Sequence, residues 1–126
     1  MITGRVSHEQ VADYVNLFDI AVSPKATFYA SPMKVVEYMS MGKAVIAPDT
    51  NNLSDMIDDG VNGILFEMDS IASLTDCLNK LTESDALRQG IGRNARTKVD
   101  IRLNWGWNAH QVVQMVNTVE RINVQI

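Results

Sequence analysis

Within "YASPMKVVEYMSMGKAVIAPD", residues 29–49, a few side chains have the types and spacing to do chemistry. Ser31 reads as a helix N-cap, Pro32 as the first helical residue and Gly42 as the residue closing the same helix. The backbone N–H groups of Met33, Lys34 and Val35 then lack helical partners. A helix start carries partial positive charge and ordinarily recruits an acid. Lys34 opposes that preference, at a cost of about 0.3–1 kcal/mol. Two readings stand: a solvated lysine at a helix end, or a cation that joins the free N–H groups and the dipole in holding an anion. Glu37 follows one turn later and is the only acid between Asp19 and Asp49. Its neighbours Val35, Val36 and Met39 are apolar. Glu37 therefore sits on the exposed edge of the helix or accepts hydrogen bonds from hydroxyl groups. A ribose diol offers a donor to each of its oxygens.

Positioning these residues falls to alternating strands and helices. The runs "DIAVSP" (19–24), "KAVIAPD" (43–49) and "GILFE" (63–67) are compact and apolar, as strands covered on both faces are. "ITGRV" (2–6) is a weaker fourth candidate. Helical patterns lie between and after them. "SHEQVADYVNLF" has Ser7 and Gln10 spaced as a capping box, and Val11, Tyr14, Val15 and Phe18 form one stripe. "NNLSDMIDDG" is a short helix leading into turn residues, and "SIASLTDCLNKLTES" places Ile71, Leu74, Leu78 and Leu81 on one face. Helical pattern continues from Asp85 to about residue 98, and a last helix is expected over 105–122. The alternation predicts an α/β fold: a truncated, Rossmann-like, three-layer α/β/α domain with a parallel sheet of three or four strands. That is half of a doubly wound nucleotide-binding domain, so its first half is expected to lie outside this sequence. Ligands of such sheets bind beyond the carboxyl ends of the strands, and "SPKATFYASP" leaves one of those ends.

The totals limit the alternatives. One domain accounts for 126 residues, of which 46% are apolar and 21% charged. A net charge of −4 argues against a general affinity for nucleic acid or anionic lipid. Cys77 is the only cysteine, which rules out an internal disulfide and fits a buried small residue in a reducing compartment. No apolar run is long enough to span a membrane, and the N-terminus lacks a signal-peptide core, so a cytoplasmic location is expected.

The stretch from Phe18 to Arg96 resembles the C-terminal half of the group-one (family 4) retaining glycosyltransferases, enzymes of GT-B architecture. The resemblance rests on Pro24 ending a strand, the Glu37-Tyr38-Met39 triplet, "GKAVIAPD", "TNNLSDMIDDGVNG" and "ILFE", all in register. It runs from about Gly4 to Lys98 and extends toward the end through "NWGW". It implies that residues 1–126 are a partial C-terminal domain that binds a nucleotide-diphosphate sugar of UDP or GDP type, with no cofactor and no metal. Glu37 then contacts the donor ribose, while Ser31, Pro32, Met33 and Lys34 face the diphosphate or sugar. Tyr29 stands where the family has its first glutamate, near the donor sugar, so the catalytic residue is left unassigned. Ala44 replaces a frequent proline, and nothing in the sequence matches the basic pair that holds the diphosphate in the family. The acceptor-binding domain is not represented either. Glycosyl transfer by this chain alone is therefore not expected.

Other residues carry weaker signals. His8 and His110 are far apart and read as surface histidines. Arg88, Arg93, Arg96, Lys98 and Arg102 read as a solvated helix face near Asp85 and Asp100, or as a contact for an acidic partner or peripheral membrane surface. No aromatics interleave with them, which speaks against nucleic acid. Trp105 and Trp107 are expected to pack the last helix, and the methionines of 33–41 to fill the core. Without a neighbouring domain, the apolar face of the last helix, with Val112, Val113, Val116 and Val119, is left bare, which predicts a homo-oligomer formed through that helix or through the uncovered sheet edge. The rival reading is a non-catalytic fragment or protein-interaction subunit. A flavodoxin-like signalling domain would need an acidic cluster at the strand ends.

Overall fold

A computed structural model describes residues 2–26 and 32–124, with side chains through Thr118. The order is α1 (His8–Asn16), β1 (Ile20–Val22), α2 (Met33–Ser40), β2 (Ala44–Pro48), α3 (Asn51–Ser54), β3 (Ile64–Phe66), α4 (Ile71–Thr82), α5 (Asp85–Arg102) and α6 (Trp105–Val124). The three strands form a parallel sheet in the order β1-β2-β3. Strand β2 is central and every residue in it is buried.

The pleat divides the core into two layers. Val45 and Ala47 face one side with Ala21, Val35, Met39, Leu53, Ala95 and Val99. Ala44 and Ile46 face the other with Ile64, Phe66, Leu81 and Ile91. Parallel strands covered on both faces carry continuous apolar runs for this reason. Helix α5 contributes to both layers, Ile91 to one and Ala95 and Val99 to the other. Cys77 is only half-buried beside the second layer, where its thiol donates toward the Leu65 carbonyl at 3.9 Å. Burial and the nearby Asp59 charge push that thiol up from its ordinary pKa.

Local signals set most of the element ends. At α1, Gln10 Oε1 accepts from the Ser7 hydroxyl at 3.1 Å and from its N–H at 3.4 Å. Ser70 and Ser84 each cap their helices by accepting from the N–H three residues on. Helix α2 ends in a Schellman motif: Gly42 has φ +69, its N–H reaches the Met39 carbonyl, and Lys43 N–H reaches Tyr38.

Two boundaries differ from the sequence expectation, and a third is sharpened. Residues 2–6 form no strand; Gly4 has φ +68, and Ile2 is 99% exposed, so nothing draws that segment into the sheet. The short helix expected within 51–60 stops at Ser54, and residues 58–63 form the turn that "DDGVNG" announces. There the Asp58 N–H donates to the buried Asn62 side chain, which donates back to the Asp58 carboxylate, and Gly60 sits at φ +75. Pro32 occupies the N-cap of α2, with φ −81 and ψ 54, and not its first helical position. Its carbonyl accepts from Val35 and Val36, so the helix begins one residue later than expected.

Candidate functional site

Helix α2 presents its chemistry because of what it buries. Val35 and Met39, one turn apart, are 1% and 0% exposed against the sheet. Burying two such side chains contributes up to about 1.5–3 kcal/mol each and fixes the rotation of the helix. Lys34, Glu37 and Tyr38 then share the flank turned away from the sheet, at spacings of three and four residues.

That flank is one wall of a cleft of about 560 Å³, within the size range of small-ligand sites. Val11, Tyr14 and Phe18 of the α1 region form the opposite wall, and Val6 closes one side. The Phe18 and Tyr38 rings meet edge to face with centroids 6.1 Å apart. The cleft is thus mostly apolar, with one cation and one carboxylate on the same wall. Lys34 is exposed and Glu37 half-exposed, and neither forms an ion pair among the described residues. Burial, then the adjacent Glu37 charge, raises the Tyr38 pKa, which keeps its hydroxyl a neutral donor. The N–H groups of Met33 and Lys34 lie in the first turn of α2.

Lys34 and Glu37 both line this cleft. Met33 is 61% exposed beside them, and Pro32 is half-buried. Ser31 and Tyr29 lie outside the described residues. Sequence reading missed the opposite wall. The stripe Val11, Tyr14, Val15, Phe18 was legible, but it reads as core, and only Val15 is buried. A stripe ending in two aromatics on so short a helix was the available signal.

The remaining candidates are accounted for by their own neighbours. Arg88 pairs with Asp85 and donates to the Leu81 carbonyl at 2.6 Å; Arg96 pairs with Asp100 at 3.1 Å. Lys98 meets Asp58 at 2.8 Å, and this hydrogen bond holds the Asp58 carboxyl below the ordinary aspartate pKa. The basic run is therefore largely a paired helix face. Arg102 lies over the Trp107 ring at 5.9 Å, and His110 tilts against the same ring. Trp105, expected to pack, is 89% exposed. Among the methionines, Met39 is in the core and Met33 is not. No group of metal-binding side chains occurs among the described residues, and no described helix is long and apolar enough to cross a membrane.

Comparison with known proteins gives this geometry a family. The model of "Glycosyl transferases group 1" matches residues 1–98. The alpha-D-kanosaminyltransferase of Streptomyces kanamyceticus is 28% identical over 94 residues, covering 75% of this chain and 24% of that protein. Among solved structures, sucrose-phosphate synthase from Thermosynechococcus elongatus superposes with a TM-score of 0.80 at 22% identity, over 97% of this chain and 30% of that one. Anabaena Alr3699/HepE in complex with UDP gives a TM-score of 0.75 at 20% identity, over 83% of this chain and 29% of that one. At these identities the structures speak for the fold. This chain spans about a quarter to a third of the curated relatives it matches. With a match over 98 of its 126 residues and a Rossmann-like sheet to go with it, the chain belongs to the group 1 glycosyl transferases.

Proposed function

We propose that this chain is the donor-binding half of a retaining glycosyltransferase of GT-B architecture, holding a nucleoside-diphosphate sugar of UDP or GDP type. One observation carries the reading: Lys34 and Glu37 stand on one wall of the cleft, in the first turns of α2, without ion-pair partners among the described residues. A carboxylate facing a cleft accepts both hydroxyls of a ribose. An ammonium beside free helix N–H groups favours a diphosphate. The apolar remainder of the cleft suits an uncharged planar base. The UDP complexes of the Anabaena fold neighbour support the ligand class.

Titration calorimetry with UDP and with GDP tests the assignment. Binding of at least one is expected. Glu37→Ala weakens it by about tenfold or more, through loss of charge-assisted hydrogen bonds. Lys34→Ala weakens it too, with a shallower salt dependence than the wild type. Heat-silent titrations with both nucleotides overturn the proposal and favour a non-catalytic interaction module.

Turnover is a separate matter. A single wall neither excludes water from the reacting centre nor orients an acceptor. The 126-residue chain is therefore expected to transfer no sugar by itself. Release of UDP or GDP from any nucleotide sugar above background, in a coupled assay, contradicts this.

A further inference from the structure

We propose that Asp59, Ser73 and Cys77 form a strap that stands in for a neighbouring strand and closes the β3 edge to strand addition by another chain. A parallel strand turns the N–H and C=O of successive residues to its two sides in alternation. In β3, Ile64 and Phe66 face β2: they stand level with Ile46 and Pro48, and the Phe66 carbonyl accepts from the Asp49 N–H at 2.8 Å. Gly63, Leu65 and Glu67 therefore turn their polar groups outward, to the side on which no strand lies among the described residues. Such a row is ordinarily the template on which an extended peptide or a second copy pairs.

Here the row is already occupied. The Leu65 N–H donates to Asp59 Oδ1 at 2.8 Å, and the Glu67 N–H donates to Ser73 Oγ at 2.9 Å. The Leu65 carbonyl faces the Cys77 thiol at 3.9 Å. The Gly63 carbonyl accepts from the Gly60 N–H at 2.8 Å, and the Glu67 carbonyl from the Ser70 N–H at 3.1 Å. Two elements supply the strap. Asp59 comes from the turn before β3, where it bridges to Gly63. Ser73 and Cys77 lie one turn apart on α4, whose Leu74, Leu78 and Leu81 pack on the sheet beside them. The Leu65 and Glu67 N–H groups are the donors an incoming strand would need. At Leu65 that strand would have to displace a charge-assisted bond to a carboxylate. Asp59 and Glu67 are also exposed, so a second copy of a chain with net charge −4 meets like charge here. All these bonds lie within residues 60–77 and Asp59, so the closure does not depend on what adjoins them.

Residue-resolved amide hydrogen exchange of the full chain tests the strap and reads nothing from the nucleotide site. In the wild type, the Leu65 and Glu67 N–H groups should exchange at least about tenfold more slowly than in an unstructured peptide. Asp59→Ala should speed exchange at Leu65 by about tenfold or more, and Ser73→Ala should do the same at Glu67. Ile64 and Phe66 should keep their protection in both variants, which is the control for folding. Asp59→Asn retains an acceptor oxygen and should keep Leu65 close to the wild type. Strand addition is read on Asp59→Ala/Ser73→Ala at micromolar to millimolar concentration, where open edges associate. This variant is expected to bind thioflavin T and to gain an intermolecular β band in the infrared while the wild type does neither. If its Ile64 and Phe66 are unprotected, Asp59→Ala is scored in its place. Unprotected Leu65 and Glu67 in the wild type overturn the proposal. So does a folded variant whose edge amides are open and which associates no more than the wild type.

Discussion

Gly92→Ala is expected to destabilise the fold by about 3 kcal/mol, a large part of a typical domain's stability. Gly92 lies in the middle of α5, where a glycine ordinarily costs stability. Its reason is the turn between α2 and β2. A Cβ at this position would stand 2.1 Å from the Gly42 carbonyl oxygen and 3.0 Å from the Gly42 carbonyl carbon. Those are backbone atoms, so no rotamer change relieves the clash. They cannot retreat easily either, because Gly42 is held at φ +69 by the Schellman bonds and Lys43 leads directly into the central strand. Gly90, two residues earlier in the same helix, is the control. A Cβ there meets nothing within 4 Å. Gly90→Ala should therefore stabilise by about 0.5–1 kcal/mol, the ordinary gain of alanine over glycine in a helix. Urea unfolding of both variants measures the contrast. Equal effects would mean that α5 does not cross the α2 turn at backbone contact.

That crossing marks the boundary of what the sequence discloses. The run Lys43–Pro48 announces a buried strand because its neighbours are covered on both faces, and composition reports coverage directly. The stripe of α4 is legible for the same reason at Leu74, Leu78 and Leu81, but Ile71, expected on the same face, is 84% exposed in the first turn; Gly42 is legible because a helix terminus is a local event. Gly92 is not legible: its partner is fifty positions away, and one glycine within "GIGRNAR" looks like its neighbour. Residues 2–6 show the opposite failure. Their residue types suit a strand, but a strand also needs an edge to pair with, and that requirement is tertiary. Among the candidate site residues, Lys34 and Glu37 are visible because they break local rules, a cation at a helix start and a carboxylate in an apolar run. Tyr14 and Phe18 break none. They become cleft walls only when α1 stands off from α2, which no spacing within α1 records.

The second large effect is expected at Ile46, in the middle of β2. Ile46→Ala should cost about 2–5 kcal/mol and Ile46→Val about 0.5–1.5, read as shifts in the urea midpoint at constant slope. Ile46 is 0% exposed and stands level with Val22 on one side and Ile64 on the other. Leu81 of α4 and Ile91 of α5 close over this row as part of the same layer. Rigid, β-branched neighbours on paired strands cannot collapse into the space that an alanine leaves, so the upper part of the range is expected. The row faces away from α2, whose Val35 and Met39 pack on the other layer. Nucleotide affinity of the folded Ile46→Ala protein should therefore stay within about twofold of the wild type, far less than the change expected at Glu37. A fall in affinity as large as that of Glu37→Ala would mean that the two layers are not independent. Lys34 and Glu37 would then owe their positions to the whole sheet and not to α2 alone.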